Sequence, residues 1–187
     1  GHADLRYRIS DAHQLNLSYG LNRTGNDRWD EVDKSFEPAN DILAKHIIGL
    51  SYNQILFGGI LNNTFFLKDY VNHLDINQTD IPTVTGSREV QGSSTSNDLG
   101  GGVGIKLQPM EPLALKASYE HSVRLPLARE LLGNGTTIYA NVALEPEKSE
   151  NWNVGLFGTL RMGDHTLSYE ANGFLRRVDN YIQPQDL

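Results

Sequence analysis

The chain has 187 residues, a formal net charge of −7 and no cysteine. The lack of cysteine excludes disulfide frameworks, thiol catalysis and cysteine-type zinc sites, and the acidic balance argues against non-specific binding to nucleic acid. No apolar run approaches the roughly 20 residues of a membrane-spanning helix, whereas the 18 glycines and 8 tyrosines are typical of an all-β chain.

The dominant pattern is an alternation of apolar and polar residues with a period of two, which predicts β-strands with one apolar side. It recurs eight times, and no stretch of comparable length has helical periodicity. We therefore expect an all-β fold of eight antiparallel, up-and-down strands with next-neighbour pairing. In chain order the apolar sides are Ala3, Leu5, Tyr7 and Ile9; Leu15, Leu17, Tyr19 and Leu21; Ile48, Leu50 and Tyr52; Leu61, Phe65, Leu67 and Val71, interrupted by Asn63 and Asp69; Leu99, Val103, Ile105 and Leu107; Leu113, Leu115, Ala117 and Tyr119; Trp152, Val154 and Leu156; and Leu167, Tyr169, Ala171 and Leu175.

The connections between these strands alternate between short and long. That order brings all the tight turns to one end of the sheet and all the loops to the other. Compact soluble domains seldom contain several loops beyond about 12–15 residues, whereas outer-membrane barrels combine short turns on one side with long loops on the other. Tight turns are predicted near residues 11–13, 54–58, 109–112 and 162–164, and long polar loops near residues 23–42, 72–97 and 121–151.

The alternation alone does not decide which way the apolar side points. In a soluble barrel it faces inward, and in an outer-membrane barrel it meets lipid. Tyr19, Tyr119 and Trp152 fall near the loop ends of their strands, and Tyr7 and Tyr52 near the turn ends. Aromatic residues at two levels are typical of membrane girdles, so the pattern favours the membrane barrel. A soluble lipocalin-like ligand-binding barrel and a complete eight-stranded outer-membrane adhesin or anchor stay open as alternatives.

Motifs for catalysis and for metal binding are absent from the sequence. There is no nucleophile elbow, phosphate loop or dinucleotide fingerprint, and the six histidines lack metal-ligand spacing. We therefore expect no enzyme activity, no cofactor and no metal site. The first long loop is interpreted as a solvated acidic loop rather than a calcium site, because its spacing lacks the order of a calcium-binding loop. Its acidic residues are Asp27, Asp30, Glu31, Asp33, Glu37 and Asp41.

Two short segments have a local interpretation. The stretch LPLARELLG, residues 125–133, predicts a short helix because Pro126 suits a first turn and Gly133 can end it. This helix would either cover the barrel end or contact a ligand. The glycines of GGGVGIK lie inside a strand, where Gly100, Gly102 and Gly104 would let backbone or bulky neighbours pack closely on the polar side.

Residues 118–158 resemble the C-terminal barrel region of TonB-dependent outer-membrane receptors. An R-x-P segment with E-L-L-G, a loop with N-x-x-L-x-P-E-K-S and a strand with x-G-L follow one another in the family's order. The stretch NGFLRRVDNYIQP looks like the family's next strand, so the clear match covers about residues 118–184. The matching positions are Arg124, Pro126, Glu130, Leu131, Gly133, Asn141, Leu144, Pro146, Glu147, Lys148, Ser149, Gly155 and Leu156.

The resemblance implies that residues 1–187 are part of a receptor barrel domain, which has 22 strands in that family. Such receptors import siderophores, cobalamin, haem or glycans across the outer membrane of Gram-negative bacteria. Their N-terminal plug and the box that couples to the TonB complex are not found in this sequence. The implied partners are outer-membrane lipid, the rest of the barrel and plug, the TonB complex and a small nutrient ligand, with no nucleic acid.

We therefore expect a barrel fragment that is unable to transport alone. Its two edges would lead it either to close as a small barrel or to associate edge to edge. Ligand contacts are expected in the outer loops and the upper lumen. The candidates are Arg124, Arg129, Glu130, Asn134, Tyr139, Trp29 and Asp30.

Overall fold

Eight antiparallel strands form one sheet in the order β1 to β8, so each strand pairs with its neighbours in sequence. The computed structural model describes residues 1–28, 39–83, 86–127, 130–131 and 143–183. The predicted up-and-down topology is confirmed. The strands are β1 His2–Ser10, β2 His13–Arg28, β3 Ala39–Leu56, β4 Leu61–Thr83, β5 Gly86–Met110, β6 Leu113–Arg124, β7 Glu147–Met162 and β8 His165–Asp179.

Tight turns join β1 to β2, β3 to β4, β5 to β6 and β7 to β8, all at one end of the sheet. They fall at residues 11–12, 57–60, 111–112 and 163–164, within or just beyond the predicted ranges. The second turn contains a short 3₁₀ helix, Phe57–Gly59. Gly58 and Gly163 have φ of 66° and 61°, a left-handed conformation that glycine adopts without steric cost. Within the described ranges, no helix is long and apolar enough to span a membrane.

The strands are longer than the sequence pattern predicts. β2 and β3 pair as far as Arg28 and Ala39, and β4 and β5 pair as far as Thr83 and Gly86. The predictions of long loops near residues 23–42 and 72–97 are therefore wrong for residues 23–28, 39–42, 72–83 and 86–97, which lie in strands. The third predicted loop, near residues 121–151, is shorter than expected, because β6 continues to Arg124 and β7 begins at Glu147. The alternation fails in these extensions because polar residues such as Asn72, His73 and Asp75 interrupt the apolar run, whereas the ladder needs only backbone N–H and C=O groups.

One face of the sheet, here called the apolar face, holds the apolar sides of all eight strands. The register pairs Leu5 with Leu17, Leu17 with Leu50 and Leu50 with Leu67. These side chains are 45–64% exposed, so the apolar face points outward. A soluble barrel would need the same residues inside. The face continues through Val103, Tyr119, Trp152 and Leu175.

On the opposite face, here called the polar face, aromatic rings of β4 lie against glycines of β5. A Cβ atom on Gly102 would lie 2.5 Å from the Tyr119 carbonyl oxygen and 2.8 Å from the Phe66 ring. A Cβ atom on Gly100 would lie 3.1 Å from the Tyr70 ring. Gly100 and Gly102 therefore admit bulky neighbours, as predicted, whereas the prediction is wrong for Gly104, where a Cβ atom would meet nothing within 4 Å.

β1 and β8 are the two edges of the sheet. No ladder joins them in the described part of the chain, so the sheet is open and the alternative of a small closed barrel is not realised. The outer rows of N–H and C=O groups on β1 and β8 lack strand partners. Such edges pair readily with further strands.

Gly102→Ala is expected to destabilise the sheet by about 1–3 kcal/mol, because the added methyl group collides with backbone and with the Phe66 ring. Urea unfolding in detergent micelles, followed by circular dichroism, measures the change. Gly104→Ala is the matched control, since a Cβ atom at Gly104 meets nothing within 4 Å. An equal loss of stability in both variants would contradict the proposed role of Gly102.

Candidate functional site

The polar face lines a half-open hollow of about 390 Å³ between β4 and β8. Amide, hydroxyl and ammonium groups converge on it from all five of these strands. This composition is typical of a hydrated lumen rather than of a protein core. The side chains of the polar face that line the hollow belong to Asn62, Thr64, Lys106, Lys116, Ser118, Asn153, Asn172 and Phe174.

Hydrogen bonds between neighbouring strands orient many of the polar side chains. Asn153 donates to Ser118 Oγ at 3.2 Å, and Asn16 donates to Ser51 Oγ at 3.1 Å. These bonds satisfy part of each group's hydrogen-bonding capacity and leave the rest for water or a ligand.

At the end of the sheet opposite the tight turns, the polar face is covered by part of the connection between β6 and β7. Leu131 packs on a buried cluster formed by Leu43, Leu74 and Ile76, and Leu144 packs against the same cluster. Residues 125–127, 130–131 and 143–146 are here called the cover segment. The cover segment therefore gives this end of the sheet a small apolar core.

The first part of the cover segment is joined to β3. The Lys45 ammonium group donates to the carbonyl oxygen of Pro126, and Pro126 is fully buried. Burial lowers the pKa of Lys45, against the opposing effect of the Glu130 carboxylate. Tyr70, Val123 and Leu125 form a second buried cluster beside this contact.

A helical turn within the cover segment is capped by one of the predicted site residues. Leu131 N–H donates to the Leu127 carbonyl oxygen at 3.1 Å, and Glu130 Oε2 accepts from Leu127 N–H at 2.7 Å. This is the carboxylate half of a capping box, in which a glutamate at the third helical position reaches back to the cap. Arg124 Nη2 lies 2.6 Å from Glu130 Oε1, so the two residues fix the cover segment together.

Charged pairs connect the strands below the cover segment. Lys148 lies 2.8 Å from Asp98, which joins β7 to β5, and the hydrogen bond and charge of Asp98 raise the pKa of Lys148. Arg176 lies 3.2 Å from the buried Glu147, which joins β8 to β7. The ion pairs hold the far ends of the last strands beyond the apolar part of the sheet.

The apolar face has aromatic residues at both ends. The Tyr119 and Trp152 rings, from directly opposite positions, have centroids 4.4 Å apart. Tyr19 OH lies 2.8 Å from His46 Nδ1. At the tight-turn end, the Tyr52 hydroxyl contacts His13. These amphipathic groups form two levels on the outward-pointing surface, as the sequence predicts.

The structure describes two of the seven predicted ligand-contact residues. Arg124 and Glu130 are brought together as an ion pair. Asp41, assigned from the sequence to a solvated acidic loop, is instead a fully buried residue of β3, because its strand continues beyond the apolar alternation. Outside the described residues lie Arg129, Asn134, Tyr139, Trp29 and Asp30.

Sequence reasoning missed Lys45, Leu43 and the pair formed by Lys106 and Lys116. The cross-strand register brings Lys106 opposite Lys116, whereas Lys45 and Leu43 meet the cover segment through tertiary packing. Among the described residues, no three histidine, aspartate or glutamate side chains are grouped in a way that could hold a metal ion.

Comparison with known proteins identifies one family and two similar folds. The family described as TonB dependent receptor-like, beta-barrel, matches residues 69–187. The structure of the copper transporter OprC has a TM-score of 0.74 at 15% identity, over 96% of this chain and 29% of that one. A double mutant of the Serratia marcescens hemophore receptor HasR, in complex with its hemophore HasA and heme, has a TM-score of 0.61 at 20% identity, over 99% of this chain and 35% of that one.

The chain thus spans about a third of the length of these two structures. Their low sequence identity limits the comparison to the fold. No curated protein sequence matches this chain.

Glu130→Ala is expected to loosen the cover segment, because it removes both the cap of Leu127 and the partner of Arg124. The Leu131 amide should exchange its hydrogen about fivefold faster, which corresponds to the roughly 1 kcal/mol of one such hydrogen bond. Hydrogen exchange followed by mass spectrometry measures the change. Glu111→Ala is the control, because it removes another arginine–glutamate pair of 2.6 Å at the tight-turn end. Equal exchange at Leu131 in the Glu130 variant and the unaltered chain would refute this role.

Proposed function

Because the chain belongs to the TonB-dependent receptor-like β-barrel family, we propose that residues 1–187 form a contiguous part of the wall of a larger outer-membrane barrel. The open edges of β1 and β8 support this proposal, since further strands of the same barrel would pair with them. The receptor would lie in the outer membrane of a Gram-negative bacterium. The alternative of a complete eight-stranded adhesin or anchor would require β1 to pair with β8.

The exposed apolar face carries the proposal. Leu17, Leu50 and Leu67 come from adjacent strands and are all largely exposed. Covering one leucine side chain with an apolar medium is worth about 1.5–3 kcal/mol, and lipid supplies that medium. The polar face would then line the lumen, and the aromatic residues at the two ends would lie at the lipid headgroups.

We propose that the tight turns face the periplasm and that the paired β4–β5 extension projects to the cell exterior. The apolar run on the outward face of this hairpin ends near Val71 and Leu99, and polar pairs such as His73 with Thr95 and Asp75 with Ser93 continue that face. An outward face that becomes polar is suited to water beyond the lipid, while Leu74 and Ile76 on the other face pack under the cover segment. The cover segment would then lie at the outer end of the lumen.

The whole receptor is proposed to take up a scarce nutrient, such as a siderophore, cobalamin, haem or glycan. Residues 1–187 would line the lumen and bind the nutrient without catalysing a reaction. They would not transport the nutrient on their own. Coupling to the TonB complex and closure by a plug would come from other parts of the receptor. A copper transporter and a hemophore receptor share the fold, which supports uptake in general and leaves the substrate to be identified by experiment.

The ligand is proposed to approach the outer end of the lumen beside the cover segment. Arg124 is 41% exposed while it is paired with Glu130, so its guanidinium group can still contact a ligand. The proposed contacts are Arg124, Arg129, Glu130, Asn134, Tyr139, Trp29 and Asp30.

Cysteine substitutions on β2 test the membrane orientation. Leu17 and Ser18 are adjacent and point to opposite faces, and the chain has no cysteine of its own. A fluorophore on Leu17→Cys should be quenched by a nitroxide-labelled lipid, and one on Ser18→Cys by a water-soluble quencher. Measurements use the receptor in lipid vesicles, with Ser18→Cys as the matched control. A Leu17→Cys label that lipid does not quench would indicate that this side chain points into a soluble barrel and would reject the proposal.

Alanine substitution in the full receptor tests the ligand contacts. Arg124→Ala should weaken ligand binding by about 10–100-fold, because it removes a charged hydrogen bond worth about 1.5–3 kcal/mol. The measurement is the binding of the transported nutrient to cells that carry the receptor. Arg8→Ala, at the tight-turn end of β1, is the control for loss of a positive charge. The set of contacts is wrong if all seven alanine variants bind and take up the nutrient normally.

A further inference from the structure

Two lysines occupy directly opposite positions on the polar face. Lys106 of β5 pairs with Lys116 of β6 in the backbone register, and both side chains line the hollow. Like charges at directly opposite positions destabilise a sheet. A compensating interaction is therefore expected at this point.

The aromatic ring beneath the pair compensates only in part. The Lys116 and Lys106 ammonium groups lie 4.2 Å and 5.5 Å from the centroid of the Phe157 ring. Each contact attracts a cation to the face of the ring. The shared ring nevertheless draws two positive charges toward one point, and it carries no negative charge to neutralise them.

The described residues supply no carboxylate partner for either lysine within ion-pair distance. Glu120 and Glu170 are on the same face in β6 and β8, but neither pairs with these lysines. Other cations near the last strands do have carboxylate partners, as Lys148 has Asp98 and Arg176 has Glu147. The lysine pair is thus a local excess of positive charge.

Neutral hydrogen-bond donors surround the excess charge. Ser118 Oγ accepts from Asn153 Nδ2 at 3.2 Å, which leaves the Ser118 hydroxyl hydrogen available to donate. Asn62, which pairs directly with Lys106 in the register, and Thr64 line the same hollow from β4. A volume of about 390 Å³ falls in the range of small-molecule pockets.

We propose that Lys106 and Lys116 together bind an anionic oxygen group, a carboxylate or a phosphate, inside the barrel. The two ammonium groups would hold the charged oxygens in charge-assisted hydrogen bonds, with Phe157 fixing the positions of both lysine side chains. The group belongs either to a free small anion or to an acidic side chain from the rest of the receptor. The proposal depends on the geometry of the polar face and is independent of which nutrient is taken up.

The test measures the thermal unfolding midpoint of the full receptor in detergent, with phosphate or chloride at equal ionic strength. The variants are Lys106→Gln and Lys116→Gln. Lys68→Gln is the matched control, because Lys68 lies 5.2 Å from the centroid of the Phe66 ring but faces Gly49 and Gly100 across the strands. It removes a lysine–phenylalanine contact without altering a like-charge pair.

If a free anion binds, phosphate at a concentration far above its dissociation constant should raise the midpoint by about 1–2 °C, because it binds the folded receptor and not the unfolded chain. Lys106→Gln and Lys116→Gln should abolish that rise, and Lys68→Gln should retain it. If an acidic side chain of the receptor fills the site, phosphate should have no effect, and both variants should lower the midpoint more than Lys68→Gln does.

The proposal is overturned if phosphate has no effect and Lys106→Gln or Lys116→Gln raises the midpoint or leaves it unchanged. That result is expected if the Lys106 and Lys116 ammonium groups only repel each other and no anion lies between them. Migration of unheated samples in gel electrophoresis checks that each variant retains its folded barrel. The proposed membrane orientation is read separately, by the quenching of the Leu17 and Ser18 labels.

Discussion

The structure depends on one continuous antiparallel ladder from β1 to β8. Because side chains alternate between faces, a shift of one residue in any pairing would move a whole strand's apolar side to the polar face. The register keeps Leu17, Leu50 and Leu67 together on one surface and Lys106 opposite Lys116 on the other. The outward apolar face and the hydrated hollow are thus two results of the same hydrogen-bond pattern.

Contacts between aromatic rings and glycines reinforce this ladder where a packed core is absent. Phe66 lies over Gly102, and the hydroxyl of Tyr169 would collide with a Cβ atom on the directly opposite Gly158. That hydroxyl also donates to the Pro112 carbonyl oxygen in the adjacent turn. Each ring fills the space that a side chain on the opposite glycine would need. These ring–glycine pairs therefore specify the register through packing as well as through hydrogen bonding.

The polar face has two regions with different physical character. Below the cover segment, the apolar cluster of Leu43, Leu74 and Ile76 excludes water. In the hollow, lysines and amides remain open to it. Packing in the first region fixes the connection between β6 and β7. The second region presents the positive charges of its lysines to the inside of the barrel.

The sequence by itself determined the all-β class, the eight strands, the tight turns and the family, because alternation, turn glycines and ordered motifs are local properties of the chain. The tertiary structure decided which face points outward, how far the polar strands extend and which residues share a site. Asp41 is buried, Arg124 pairs with Glu130, and Lys45 binds the Pro126 carbonyl 81 positions away. These outcomes depend on register and curvature, which bring distant residues into contact and leave no periodic signal in the sequence.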